Sequence, residues 1–308
     1  MNTAGKGRLL ALAAVAVGAT VALAGCASGD PLDSGSSTDG ASSETIVVGS
    51  QDYYSNEIIA EIYAQALEAN GFTVELQPRI GQREVYIPEI EAGEIDVFPE
   101  YTGNLLQYYV PDTTATTSED VYAELETSLP DGLRVLDQSP ATDQDSYNVT
   151  KEFSEANGVT SLADLAKVTT PLTLGGNSEL ETRPYGPTGL KEVYGVDVAF
   201  TPIEDSGGPL TLKALVDDQV QLVNIYSADP NIKANDLVTL EDPEGLFLAS
   251  HVVPVVSEKV TDEMADVINT VSEALTAEDL VALNALSVDE QQSADQIAKD
   301  WLAEKALF

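Results

Sequence analysis

The sequence predicts an α/β protein of two similar lobes, because one pattern of turn, strand and tyrosine occurs in it twice. Residues 89–102 and 214–227 each run from a helix end through a tight turn into an apolar strand, and each then presents a tyrosine followed by a hydroxyl residue. Tyr101 and Tyr226 therefore hold equivalent places, 125 positions apart. In open α/β sheets ligands bind at the carboxyl ends of strands, so the repeat predicts a ligand cleft between the lobes. The alternative is that unrelated strand–turn–helix units share this pattern.

The first lobe is predicted as strand, helix, strand, helix, strand, an order that implies parallel pairing with right-handed crossovers. Apolar residues at helical spacing predict a first helix that Ser55 caps and Gly71 ends. A second helix is expected to end at Glu91. The strands are expected at residues 46–49, 72–76 and 95–98.

The second lobe repeats this scheme, and the chain then returns to the first. Further strands are expected at residues 133–136, 147–150, 172–174, 198–201, 220–226 and 252–256, with helices over 190–194 and 209–216 and from Ser161, Thr261, Thr276 and about Asp289. The predicted lobes are residues 45–145 with 250–308, and residues 146–249. Two crossing segments make a hinge, which suits closure around a ligand.

The N-terminus reads as a processing segment. Two basic residues precede an apolar run over residues 9–24, and small residues and Cys26 follow it. This arrangement predicts a secretory signal peptide over residues 1–25, too short for a conventional membrane span. Residues 26–44 then form a flexible tether, because Ser, Gly, Asp and Thr supply no core. Cys26 is the only cysteine, which excludes a structural disulfide.

The chain is strongly acidic, with a formal net charge of −38. Loss of residues 1–25 removes Lys6 and Arg8 but no acid, and so leaves −40. Such a field disfavours binding to nucleic acid or anionic lipid and modestly attracts cations. A general adaptation of the surface explains the acidity equally well.

The sequence lacks the residues that several classes of catalytic and metal-binding site require. With one histidine and one cysteine, the chain has no cysteine nucleophile beyond Cys26, no cysteine-based zinc site and no histidine-pair metal motif. It also lacks a P-loop, a nucleophile elbow and a dinucleotide fingerprint. We therefore predict no catalytic residue, no metal and no cofactor. A hydrolase that uses one of the many scattered carboxylate pairs stays open as an alternative.

Tyrosine is the residue that offers chemistry, with twelve copies against six Phe and one Trp. Tyr101 and Tyr226 follow strands where the lobes should meet, and Tyr147 lies near the crossover between them. Converging tyrosine faces attract a cation without hydrogen-bond donors, such as a quaternary ammonium, by about 0.5–2 kcal/mol per ring. The alternative is that these are ordinary boundary tyrosines with their hydroxyls in water.

Six motifs together resemble one family, the substrate-binding proteins of glycine betaine/carnitine/choline ABC transporters, over residues 45–302. The most specific is Glu-Tyr-Thr-Gly shortly after Gly-Glu-Ile-Asp. The motifs stand at residues 48–51, 92–96, 99–103, 189–195, 205–210 and 253–256. The resemblance implies a type II periplasmic-binding-protein fold of two lobes that closes on an osmolyte, docks on an ABC permease and performs no catalysis. We expect a monomer. Leu23 to Cys26 also resembles a bacterial lipobox, which implies lipidation at Cys26 and anchoring outside the cell membrane.

The resemblance also implies roles for individual residues. Family members hold the trimethylammonium group in a tyrosine cage, with a backbone carbonyl beside the cation and polar groups at the other end. Carried over by motif, the cage residues are Tyr101, Tyr147 and Tyr226, the carbonyl is that of Asp145, and the polar residues are Gln51, Asn104 and Arg183. A guanidinium suits a carboxylate through two parallel hydrogen bonds, although Arg183 reads equally well as a surface residue.

One position departs from the family pattern. Members with a full cage carry a fourth tyrosine shortly before the Val-Pro-Val strand, where this chain has Ser250 and His251. A neutral His251 ring could substitute in part, whereas a protonated ring would repel a cation. Phe247 or Tyr185 could close the gap instead.

We therefore expect an extracytoplasmic lipoprotein that captures a quaternary-ammonium osmolyte for uptake. The nearest alternative keeps the fold and binds an amino acid or another polar solute, with Asp145 and Glu100 as acceptors for its N–H groups. More distant alternatives are the secreted hydrolase and a surface adhesion module.

Overall fold

The computed structural model describes residues 45–308, which contain two five-stranded sheets flanked by helices. The predicted two-lobed α/β architecture is therefore confirmed. The predicted signal peptide, Cys26 and the tether up to residue 44 lie outside the described residues. None of the helices within residues 45–308 is both long and apolar enough to span a lipid bilayer.

Ten strands build the two sheets. In chain order they are β1 (Ile46–Gly49), β2 (Val74–Gln77), β3 (Val97–Tyr101), β4 (Leu133–Val135), β5 (Tyr147–Val149), β6 (Leu172–Gly176), β7 (Val198–Pro202), β8 (Leu222–Asn224), β9 (Val238–Thr239) and β10 (Val252–Ser257).

Eleven α-helices connect the strands of the described region and cover the sheets. They are α1 (Tyr54–Ala69), α2 (Arg83–Glu91), α3 (Thr102–Tyr109), α4 (Ser118–Ser128), α5 (Lys151–Asn157), α6 (Pro187–Tyr194), α7 (Pro209–Val216), α8 (Pro230–Ala234), α9 (Asp262–Ala274), α10 (Ala277–Val288) and α11 (Ala294–Lys305). Short 3₁₀ helices span Leu162–Lys167 and Ser178–Thr182.

The two sheets have the same topology. The first, in lobe I, has the order β2-β1-β3-β10-β4, and the second, in lobe II, has the order β7-β6-β8-β5-β9. In each, the second strand pairs in parallel with both of its neighbours, and the fourth strand pairs antiparallel with the third and the fifth. Four strands of each sheet therefore run in one direction and only β10 or β5 runs opposite to them, which fits the expected parallel pairing. The shared order supports the predicted duplication.

Lobe I has the larger core. One face of α1 is fully buried, including Ile58, Ile62 and Leu67, and it packs against α9, α10 and α11. The helix begins directly after Tyr53, so Ser55 lies inside it rather than capping it as predicted. The last helix, α11, likewise begins after Ser293 rather than near Asp289, because the Ser293 hydroxyl accepts from a first-turn amide.

Several short elements escaped sequence prediction, namely α3, α4, α5, α8, β9 and the 3₁₀ helix at Ser178–Thr182. Their apolar patterns are brief; in α4, for instance, the buried residues are Val121 and Leu125. Of these elements α3 matters most for function, because it begins directly after Tyr101 and carries Asn104.

Candidate ligand-binding site

One cavity lies where the carboxyl ends of strands from both sheets meet. The space between its walls, counting the open mouth, is about 580 Å³. Tyr101 ends β3, and Tyr226 stands two residues after β8. Gln51 and Asn177 follow β1 and β6, which hold the same place in the two sheets. All four line the cavity, so the predicted cleft at matched strand ends is present.

Four tyrosines line this cavity: Tyr53, Tyr101, Tyr185 and Tyr226. The rings of Tyr53 and Tyr226 are 4.7 Å apart between centroids and inclined at 60°. Burial raises the pKa of each of the four phenols above its usual value, so all stay protonated at neutral pH. The cavity therefore offers neutral, electron-rich aromatic surface.

Asp145 is held by two amides from different lobes. Its Oδ2 accepts from Asn104 Nδ2 at 2.5 Å, and its Oδ1 accepts from Asn224 Nδ2 at 2.7 Å. Asn104 Nδ2 also donates to the Tyr185 hydroxyl at 3.1 Å, and Asn104 Oδ1 accepts from Ser250 Oγ at 3.0 Å. These bonds fix the Asn104 side chain between the lobes.

Asp143 is a second buried carboxyl group in the cavity wall, only 3% exposed. Its Oδ2 accepts from the Tyr53 hydroxyl at 2.9 Å, and its Oδ1 accepts from the Ala228 amide at 2.9 Å. Within residues 45–308 it forms no ion pair with a lysine, arginine or histidine. Burial raises its pKa to about 7.

The two arginines of the cavity are each paired with a glutamate. Arg83 donates from Nε and Nη2 to the buried Glu100 at 2.9 and 2.8 Å, and Glu100 also accepts from the Tyr86 hydroxyl and the Tyr101 amide. Arg183, on lobe II, forms a two-armed ion pair with Glu84 of α2 at 2.8 and 3.2 Å.

Six of the eight predicted ligand-binding residues line the cavity. They are Gln51, Tyr101, Asn104, Asp145, Arg183 and Tyr226. Tyr147 and His251 do not line it.

Tyr147 lies instead in the core of lobe II. Its side chain is fully buried, its hydroxyl donates to the Tyr185 carbonyl at 2.6 Å, and its ring meets the edge of Phe247 at 5.1 Å. His251 sits just before β10, with its Nδ1 2.9 Å from the Ser139 carbonyl.

Among the residues proposed to replace the fourth cage tyrosine, Tyr185 lines the cavity. Phe247 packs on the rings of Tyr147 and Tyr185 instead. Ser250 is buried behind Asn104, and its hydroxyl also accepts from the Gly103 amide.

Sequence reasoning missed several residues of the cavity wall, among them Tyr53, Arg83 and Asp143. Tyr53 stands in the loop between β1 and α1, two residues after Gln51. Its place beside a predicted ligand-binding residue is the sequence feature that could have identified it. Arg83 is the first residue of α2, and the sequence predicts the start of a helix there. Asp143 stands two residues before Asp145, in the crossover segment between the lobes.

The fold and the cavity define a two-lobed solute-binding protein, and comparisons with known proteins agree. The family model for the substrate binding domain of ABC-type glycine betaine transport systems matches residues 44–304. The chain belongs to this family, which confirms the resemblance found in the sequence motifs.

Relatives and solved structures are consistent with this assignment. The glycine betaine-binding protein YehZ of Escherichia coli K12 is 28% identical over 275 residues, 84% of this chain and 90% of the relative. A glycine-betaine-binding protein of Pseudomonas aeruginosa is 27% identical over 283 residues, 87% and 90% of the two chains.

A solved glycine betaine/carnitine/choline ABC transporter protein superposes with a TM-score of 0.69 at 19% identity, covering 85% of this chain and 99% of the other. Apo YehZ from Escherichia coli superposes with a TM-score of 0.63 at 26% identity, covering 86% and 100%. These likenesses confirm the periplasmic-binding-protein fold.

Removal of Glu100 should destabilise the fold strongly, because it would leave the Arg83 guanidinium buried without a counter-charge. We expect Glu100→Ala to lower the free energy of unfolding by about 3–5 kcal/mol, measured by urea denaturation followed by circular dichroism. The matched control is Glu57→Ala, which breaks the half-exposed Arg79 pair and should cost less than about 1 kcal/mol. Equal losses in the two variants would contradict this account of Glu100.

Asp143 should make stability depend on pH between about 4 and about 7. Its pKa is about 7 in the folded protein, against about 3.9 for an unfolded aspartate. As pH rises through this window the unfolded chain loses the proton first, so the free energy of unfolding should fall and then level off above pH 7. Burial shifts the pKa of neighbouring Asp229 in the same direction.

Asp143→Asn should flatten part of this slope, with Asp229 left to contribute the rest. The measurement is urea denaturation at a series of pH values, with Asp137→Asn, at an exposed site, as the control. A variant whose slope equals that of the wild type would refute the assignment to Asp143.

Proposed function

We propose that the protein captures a quaternary-ammonium osmolyte of the glycine betaine, choline or carnitine type and delivers it to an ABC permease, without catalysing a reaction. The observation that carries this proposal is the convergence of Tyr101 and Tyr226, which follow equivalent strands of the two sheets, on one cavity. Their faces suit a methylated cation, which needs aromatic surface rather than hydrogen-bond acceptors. Membership of the glycine betaine-binding family supports the same ligand class.

The other end of the ligand would meet hydrogen-bond donors. Gln51 is 8% exposed, and its Nε2 has no hydrogen-bond partner within residues 45–308, which makes a ligand acceptor favourable there. Arg83 uses Nε and Nη2 for Glu100, and its Nη1 makes no hydrogen bond to another atom of residues 45–308. Together with Arg183, these groups would select a carboxylate or a hydroxyl. Asn104, whose Nδ2 already donates to Asp145 and to the Tyr185 hydroxyl, would hold those two side chains in place.

Closure would proceed about a hinge between two lobes, residues 45–145 with 250–308 and residues 146–249. This division follows the two sheets, which are linked through the segments after β4 and before β10. Contacts across the cleft include the Arg183–Glu84 ion pair and a hydrogen bond from the Tyr54 hydroxyl to Asp229 at 3.0 Å. A ligand would be enclosed when these contacts form.

We also propose that the protein works outside the cell membrane as a lipid-anchored monomer. The signal-like segment over residues 1–25, the lipobox-like sequence at Cys26 and the tether up to residue 44 support the anchor. Membership of a family of substrate-binding domains of ABC transport systems supports the location outside the membrane and the permease partner.

A second candidate ligand is an amino acid or another solute with N–H donors. The cavity wall contains Asp143, Asp145 and Glu179, and their carboxylates could accept hydrogen bonds from a primary ammonium group. Titration with amino acids beside the methylated compounds separates the two ligand classes.

Loss of both strand-end tyrosines should abolish tight binding. We expect the wild type to bind at least one of glycine betaine, choline and carnitine in isothermal titration calorimetry. The double variant Tyr101→Ala with Tyr226→Ala should lose about 5- to 850-fold in affinity, since two rings contribute about 1–4 kcal/mol. Tyr109→Ala, a change outside the cavity, is the control. Full affinity in the double variant would rule out the aromatic site.

Arg183 and Glu84 should differ in how they affect two ligands. If Arg183 grips the ligand carboxylate, Arg183→Ala should weaken glycine betaine about tenfold more than choline, which has no carboxylate. Glu84→Ala breaks the ion pair between the lobes but leaves Arg183 in place, so it should change both affinities by the same factor. Equal effects of Arg183→Ala on both ligands would assign Arg183 to lobe closure alone.

A further inference from the structure

Tyr53 occupies a corner of the cavity between the lobes. It directly precedes α1 of lobe I, is 5% exposed and lines the cavity. Its ring lies 4.7 Å from the ring of Tyr226, which belongs to lobe II, and 4.9 Å from that of Tyr54. A cation in the cavity would therefore meet aromatic surface from both lobes at this corner.

Asp143 lies behind Tyr53 at this corner, and its carboxyl group has no positively charged partner within residues 45–308. Tyr53 donates to it, and the other titratable groups around it are Tyr54, Tyr101 and Asp229, none of them cationic. A buried carboxylate without a counter-charge is unfavourable. A cationic ligand would supply that charge, and a phenol that donates to a carboxylate presents a more electron-rich ring to it.

We propose that Tyr53 and Asp143 complete the cation site, Tyr53 as an aromatic wall and Asp143 as the counter-charge to the ligand. The pair replaces the fourth cage tyrosine of the family pattern. This chain has no tyrosine at that position before β10, and Ser250 there donates its hydroxyl hydrogen to Asn104. The pair also compensates for Tyr147, which lies in the core of lobe II. This inference rests on the proposed capture of a methylated ammonium compound.

The test compares each ligand with an analogue that lacks its positive charge. Choline and glycine betaine are titrated by calorimetry, together with the two compounds in which a tert-butyl group replaces trimethylammonium. Asp143→Asn should weaken binding of the trimethylammonium member of each pair about tenfold relative to its tert-butyl analogue. Tyr53→Leu should weaken the charged ligands about tenfold or more, and Tyr53→Phe should fall between Tyr53→Leu and the wild type.

A matched tyrosine–aspartate pair outside the cavity serves as the control. In lobe II the Tyr194 hydroxyl donates to Asp242, and neither residue lines the cavity. Tyr194→Phe and Asp242→Asn should leave all affinities unchanged. Thermal unfolding of every variant shows that it is folded, and Tyr53→Phe keeps the test informative if Tyr53→Leu does not fold.

The outcomes separate this inference from the proposed function. A wild type that binds a charged ligand while Tyr53→Phe and Asp143→Asn both keep its full affinity would overturn the inference alone. Equal losses for the trimethylammonium ligand and its tert-butyl analogue in Asp143→Asn would also overturn it, because they indicate a packing effect. A wild type that binds none of the methylated ammonium compounds would overturn both the function and the inference.

Discussion

The buried ion pair between Arg83 and Glu100 organises the cavity. Glu100 stands next to Tyr101 in β3, and its carboxylate accepts from Arg83 of α2, from Tyr86 and from the Tyr101 amide. Because charged groups cannot stay buried without partners, these bonds fix the start of α2 against the end of β3. The ring of Tyr101 and the outer edge of Arg83 are thereby presented to the cavity together.

The same requirement accounts for the other charges of the site. Asp145 is satisfied by two amides, Asn104 of lobe I and Asn224 of lobe II, so the network that holds it also joins the lobes. Arg183 is satisfied by Glu84 across the cleft. Asp143, like Asp145, has hydrogen bonds but no ion pair with a lysine, arginine or histidine of residues 45–308. A site that holds carboxylates without a counter-charge suits a ligand with a positive end.

Much of the fold was predictable, because apolar runs and glycine turns are local signals. β1, α2, α7 and the equivalence of Tyr101 with Tyr226 follow from such patterns. The role of Tyr147 does not, because side chains alternate between the faces of a strand. Because β5 has only three residues, its sequence does not show which side of the sheet the Tyr147 side chain occupies. That side is set by the pairing of β5 with β8, and it faces the core. Pairing of Arg83 with Glu100, 17 residues away, likewise depends on tertiary structure.

The two lobes share a topology, but they contribute different chemical groups to the cavity because the loops after their equivalent strands differ. Equivalent strands deliver Tyr101 and Tyr226 to the cavity, whereas the loops after them diverge: lobe I continues into α3 with Asn104, and lobe II continues toward Asp229 and α8. Lobe I supplies the fixed aromatic and guanidinium groups through β3 and α2. Lobe II brings Arg183, Asn224 and Tyr226 against them. For the proposed function this means that neither lobe alone would surround a cation, so closure and ligand recognition would depend on the same contacts.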